Sequence, residues 1–194
     1  YDANIMIDDA HALGVLGHQG RGTSDHFGLT DKVDLIMGTF SKSFGSLGGF
    51  IAADFDIINF LKHNARSLIF SASMPPSNVA SVSKAIDIML SEPERIQHLW
   101  DVSNYARKQF QDRGFDTGHS CTPIIPLLVR NSEKAFWLCN RLLEDGVFVT
   151  PVIAPAVPEN DVMIRFALMA THTYEQVDIA VEKITKAFKE AGII

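Results

Sequence analysis

Cysteine is scarce: Cys121 and Cys139 are the two in 194 residues, and neither belongs to a CxxC pair. That excludes a disulfide framework, and a reducing, cytoplasmic setting fits best. Long apolar runs are absent too, since none approaches the roughly 18 residues needed to span a bilayer. The opening YDANIMIDDAH has neither the basic end nor the cleavage site of a secretory leader. Basic charge is short: 17 Lys and Arg against 23 Asp and Glu leave a net charge of −6, with no basic block, so nucleic acid is not an expected partner. Initial Met is missing as well, and the chain opens directly on what reads as a buried strand. The expectation is that the N-terminal half of a longer protein precedes it.

What is present suits a globular protein with a sizeable core: 46% of residues are hydrophobic and 21% charged. Apolar runs at 4–8 and 33–40 read as buried strands ending in polar residues, 48–54 as a third strand, and 56–65 as a helix. After MPPS, an amphipathic helical pattern pauses at Glu92-Pro93-Glu94 and resumes until Gly114. Proline is tolerated in a first helical turn, so one helix ends and another begins there. Beyond it come a strand at 123–129, a helix at 132–146, strands at 147–152 and 162–168, and a Thr-capped helix at 171–192. The expected class is α/β, with a smaller α+β domain after a larger α/β one.

In GTFSKSFGSLGGF, Lys42 is the only charge between Met37 and Ala53, set among hydroxyls and glycines. A lysine desolvated by such a neighbourhood loses proton affinity and can form a Schiff base with an aldehyde. Asp8 and His11 of DDAH stand at the preceding strand end, and in open α/β sheets ligands gather beyond the carboxyl ends of strands. An aldehyde cofactor with a pyridine nitrogen needs a carboxylate to keep that nitrogen protonated, a role that suits Asp8. Thr39 and the turn beside it offer donors for a phosphate. His18, His26 and His63 lack metal-ligand spacing, and Cys121 and Cys139 read as core thiols. His172 reads as part of a helix start.

Four blocks, IDDAHALGVLGHQGRG, MGTFSKSFGSLGGF, ARSLIFSASMPPS and APAVPENDVMIRFALMATHT, together resemble the α-oxoamine synthases. These are fold-type I pyridoxal 5'-phosphate enzymes that condense an amino acid with an acyl-CoA and release carbon dioxide. The resemblance implies that residues 1–95 are the C-terminal portion of the large cofactor-binding domain and 96–194 the small C-terminal domain. It implies Lys42 as the Schiff-base lysine, Asp8 at the pyridine nitrogen, His11 at the phenolic oxygen and Thr39 near the phosphate. Ser71 and Ser73 match the segment that reaches the phosphate of the neighbouring subunit in a homodimer, and Arg165 the receiver of the substrate carboxylate. Arginine suits that task because its planar fork makes two parallel hydrogen bonds.

The serines around Lys42 and the FSASMPPS block favour a member that joins L-serine to a long-chain acyl-CoA, giving a 3-ketosphinganine-type product. The alternatives are L-alanine with a pimeloyl thioester, or a 2-amino-3-ketobutyrate-forming ligase. Rival classes are a lysine-lacking structural partner subunit, against which Lys42, Asp8 and His11 all speak, and an aminotransferase. The chain alone is expected to be inactive, since the family places the ring that stacks on the cofactor in the preceding half.

Overall fold

The structure is a computed structural model that describes residues 3–194. It divides into two compact units, Tyr1–Ile96 and Gln97–Ile194. The first contains β1 (Met6–Asp8), a short α1 (Thr23–His26), β2 (Leu35–Thr39), β3 (Gly49–Ala53), α2 (Phe55–Asn64), a short α3 (Arg66–Ile69) and α4 (Pro76–Ser91). α5 (Glu94–Asp112) begins at the boundary, and the second unit continues with β4 (Ile124–Leu128), α6 (Ser132–Glu144), β5 (Thr150–Val152), β6 (Met163–Ala167) and α7 (Tyr174–Glu190).

In the first unit the strand order is β1-β2-β3, with β1 parallel and β3 antiparallel to β2. Parallel pairing sets Asp8 opposite Met37, so both strands end at the same edge. Phe40, Phe44 and Val82 form a small buried cluster joined by Leu13, Phe50, Ala85 and Met89, which seats α4 against the segment after β2. Pro76 lies in the first turn of α4, where the missing N–H costs nothing, and the helix ends at Ser91 before Pro93, as the pause in the pattern implies.

Expectation and structure part at β1. The apolar run predicts a buried strand, yet Met6 is 63% exposed and Ile7 half-buried. A strand of a parallel pair is buried only when elements cover both faces, and the exposure of Met6 and Asp8 shows that the described residues leave β1 uncovered. α2 likewise has no buried residue.

The second unit packs a three-stranded antiparallel sheet of order β4-β6-β5 against helices. Ile125, Leu127, Ile164 and Phe166 alternate inward and meet Phe110, Leu138, Leu142, Val181, Ile184 and Phe188, the period-2 and helical spacings sharing one core. α7 starts on a capping box: Thr173 Oγ1 accepts from Gln176 N–H at 3.2 Å, and Gln176 Oε1 accepts from Thr173 N–H at 3.0 Å. The expected strand at 147–152 is shorter, because Val147 N–H bonds back to the Leu142 carbonyl and closes the end of α6, leaving β5 to begin at Thr150. Cys121, read as a core thiol, is exposed on the loop before β4, whereas Cys139 is half-buried and burial pushes its thiol up.

Candidate active site

Two adjacent carboxylates end β1, and the fold separates their tasks. Asp9 is 1% exposed, and both its oxygens accept from Thr23 N–H, at 3.1 and 3.0 Å. It ties the start of α1 to the sheet, and a Cβ on Gly22 would run into its Oδ2, so glycine is required there. Asp8, with side chains alternating along the strand, is exposed instead. Its Oδ1 accepts from Ala10 N–H at 3.0 Å, which starts the turn carrying His11, itself exposed. One carboxylate thus builds the fold and the other is left exposed at the strand end.

Lys42 follows β2 by three residues. Phe40 N–H bonds to the Gly48 carbonyl at 2.9 Å and Ser46 N–H to the Phe40 carbonyl at 2.7 Å, closing the loop at its base. Phe40 and Phe44 are buried while Ser41, Lys42 and Ser43 are exposed, so the loop is anchored on both sides of the lysine. The expected desolvation of Lys42 is not seen among the described residues: Lys42 is exposed.

The hydroxyls divide unevenly. Thr39 Oγ1 donates to the Gly48 carbonyl at 3.2 Å, accepts from Ser41 N–H at 3.3 Å and lies 2.9 Å from Ser41 Oγ. Thr39 therefore organises the turn, and Ser41, which the sequence pattern does not single out, is the outer member of the pair. Its signal was present as the serine directly before the lysine. Ser71 Oγ donates to the Ser67 carbonyl at 2.5 Å, closing α3, whereas Ser73 makes no side-chain hydrogen bond among the described residues. Ser73 is thus the freer donor of the two.

Arg165 belongs to the second unit. It sits mid-strand in β6, opposite Pro126 and Thr150, on the sheet face away from Ile164 and Phe166. Among the described residues no carboxylate pairs with it, unlike Arg130 with Asp116 or Arg141 with Asp145. An unpaired, half-buried guanidinium suits an external carboxylate. His172 accepts Met169 N–H at Nδ1, 3.1 Å, just before the α7 cap. Among the described residues no group of three or more His, Cys, Asp or Glu could hold a metal ion.

An amine, an exposed carboxylate and a hydroxyl pair at one sheet edge match, in donor chemistry, a small group bearing an aldehyde, a ring nitrogen and a phosphate. Fold and site together define a lysine-centred α/β protein. The chain belongs to the aminotransferase class I and II family, whose model matches residues 1–184. It is 60% identical to serine palmitoyltransferase of Sphingobacterium spiritivorum over 193 residues, covering 100% of this chain and 48% of that protein. It is 41% identical to 8-amino-7-oxononanoate synthase of Thermosipho melanesiensis, covering 100% of this chain and 50% of that protein. Among solved structures, SPT with its PLP internal aldimine is 29% identical with a TM-score of 0.93, over 100% of this chain and 49% of that one. The fold is that of fold-type I pyridoxal phosphate transferases, and the chain spans about half the length of the curated relatives it matches.

Proposed function

We propose that this chain carries the lysine-bearing half of a pyridoxal phosphate-dependent α-oxoamine synthase acting on L-serine and a long-chain acyl-CoA, with a 3-ketosphinganine-type product. The observation that carries the reading is the register of β1 and β2, which sets exposed Asp8 and the Lys42 loop at one edge of the sheet. The 60% identity to a serine palmitoyltransferase supports L-serine as the amino acid.

When bound, the cofactor supplies an aldehyde and a protonated ring that withdraws electrons from the amino acid's α-carbon. Lys42 Nζ would hold the cofactor's aldehyde end and would serve as the base for the proton on the amino acid's α-carbon. The Asp8 carboxylate holds a proton on the ring nitrogen, and His11 orients the phenolic oxygen. Ser41 and Thr39 bind the phosphate, joined by Ser73, or Ser71, from the neighbouring subunit of a homodimer. Arg165 orients the substrate carboxylate through two parallel hydrogen bonds, which holds it in place for loss as carbon dioxide. Exposure of Leu68, Ile69 and Phe70 beside the Ser71–Ser73 segment supports a covering subunit. Among the described residues no helix is long and apolar enough to cross a membrane, and two free thiols agree with a cytoplasmic setting.

A second reading, L-alanine with a pimeloyl thioester, has the support of the 41% identical relative. The deciding experiment loads the full-length protein with pyridoxal phosphate, adds L-serine, L-alanine or glycine with palmitoyl-CoA, and follows coenzyme A release and product mass. Release with L-serine alone is expected. Release with L-alanine alone, given a pimeloyl thioester, moves the assignment to the second reading, and no absorbance band on adding the cofactor removes both.

A further inference from the structure

We infer that Ser43 is a positioning residue for Lys42: its hydroxyl fastens the lysine loop to the turn that carries Asp8 and His11. The inference rests on the roles proposed above for those three residues. Ser43 Oγ donates to the Leu13 carbonyl at 2.7 Å, across 30 residues of chain. The acceptor belongs to a tight turn, because Ala12 and Leu13 N–H both bond to the Asp9 carbonyl, at 3.0 and 3.1 Å. His11 lies inside that turn and Asp8 immediately before it. Asp9 N–H in turn bonds to the Met37 carbonyl at 2.8 Å, which fixes the turn to β2.

Two further observations mark the contact as built into the fold. Gly14 has φ +74°, and a Cβ there would stand 2.7 Å from Ser43 Cβ and 2.8 Å from its Oγ. The backbone at 14 leaves space that Ser43 fills. The far side of the lysine loop is held separately: Ser46 Oγ donates to the Asn78 carbonyl at 3.1 Å, and Asn78 Nδ2 donates back to Ser46 Oγ at 3.2 Å, on the first turn of α4. Phe40 and Phe44 are anchored in the core, and within the loop Ser41 N–H bonds to Thr39 Oγ1 at 3.3 Å and Gly45 N–H to the Lys42 carbonyl at 3.0 Å; the Ser43 hydroxyl adds the tie from this loop to the Asp8 side.

The consequence is chemical. Lysine has a flexible four-carbon stem, so the placement of Nζ depends on where the backbone at 42 is held. A misplacement of about 1 Å can cost up to about a hundredfold in rate. Ser43 touches no reacting atom; it sets the distance between the base on Lys42 and the groups on the Asp8–His11 turn.

The test compares Ser43→Ala, Ser43→Cys and Lys42→Ala in the full-length protein. Ser43→Ala is expected to lower kcat about tenfold while KM for the amino acid moves less than about twofold, the split that marks lost positioning rather than lost binding. The visible absorbance band of the cofactor-loaded protein shifts or weakens. In the cofactor-free protein, amide exchange rises in peptides covering 10–16 and 41–46. Ser43→Cys, whose thiol is a weaker donor, falls between Ser43→Ala and the parent. Parental kcat, band and exchange in Ser43→Ala, with Lys42→Ala inactive, overturn the inference and leave the active-site reading standing. Turnover retained in Lys42→Ala overturns both.

Discussion

Phe40 and Phe44 meet edge to face with ring centroids 5.7 Å apart, and Lys42 lies midway between them in the sequence. Both rings are buried against α4 through Val82, while the lysine between them is exposed. The loop is thus a short arch whose two feet stand in the core. The aromatic pair holds the two ends of the arch, and the Ser43 and Ser46 hydroxyls tie its flanks.

Phe44→Ala removes one foot. Truncating a buried phenylalanine costs about 3 kcal/mol or more, so urea unfolding of the full-length protein should show a lower midpoint. Turnover should fall in the remaining folded protein as well, because Lys42 loses its fixed approach.

The two neighbouring carboxylates should respond oppositely. Asp9→Ala leaves Thr23 N–H without its buried acceptor and costs about 1–3 kcal/mol of stability. Asp8→Asn, at an exposed position, should change stability by less than about 0.5 kcal/mol yet remove most turnover. Thermal melts and steady-state kinetics on the same two variants separate the outcomes, and the reverse pattern would exchange their roles.

Arg165→Lys keeps a charge but loses the planar fork. KM for the amino acid should rise about tenfold or more with Arg165→Ala and by less with Arg165→Lys. An unchanged KM in both variants would remove Arg165 from substrate binding.

Asp116 provides a pH prediction for the second unit. The Arg130 guanidinium, 2.5 Å away, and then the Gly118 N–H hold its carboxyl below the usual range. A depressed folded value means that the pair's stabilisation is present above the unfolded pKa and is lost as pH falls through the folded one. The pair is solvent-exposed, so its contribution is below about 1 kcal/mol and weakens with salt. Unfolding measured from about pH 6 down to about pH 3 should show a slightly smaller acid loss in Asp116→Asn than in the parent. An identical acid loss would mean the ion pair contributes nothing.

Much of this was legible in the residues because it is local. The threonine cap of α7, the break at Pro93 and the strands β4 and β6 depend on neighbours within four positions. The lysine block was equally readable, since one charge among hydroxyls and glycines is a compositional signal that needs no fold. From these the sequence by itself determined the α/β class and the βαββα order of the second unit.

Tertiary structure decided the rest, and in each case the deciding contact spans residues far apart in the chain. Which of Asp8 and Asp9 is exposed depends on Thr23, fourteen residues on from Asp9. The exposure of β1 depends on what covers it, and apolar content cannot report that. The link between Ser43 and Leu13 depends on β1 and β2 pairing in parallel, which brings two loop segments together that nothing in their own residues connects.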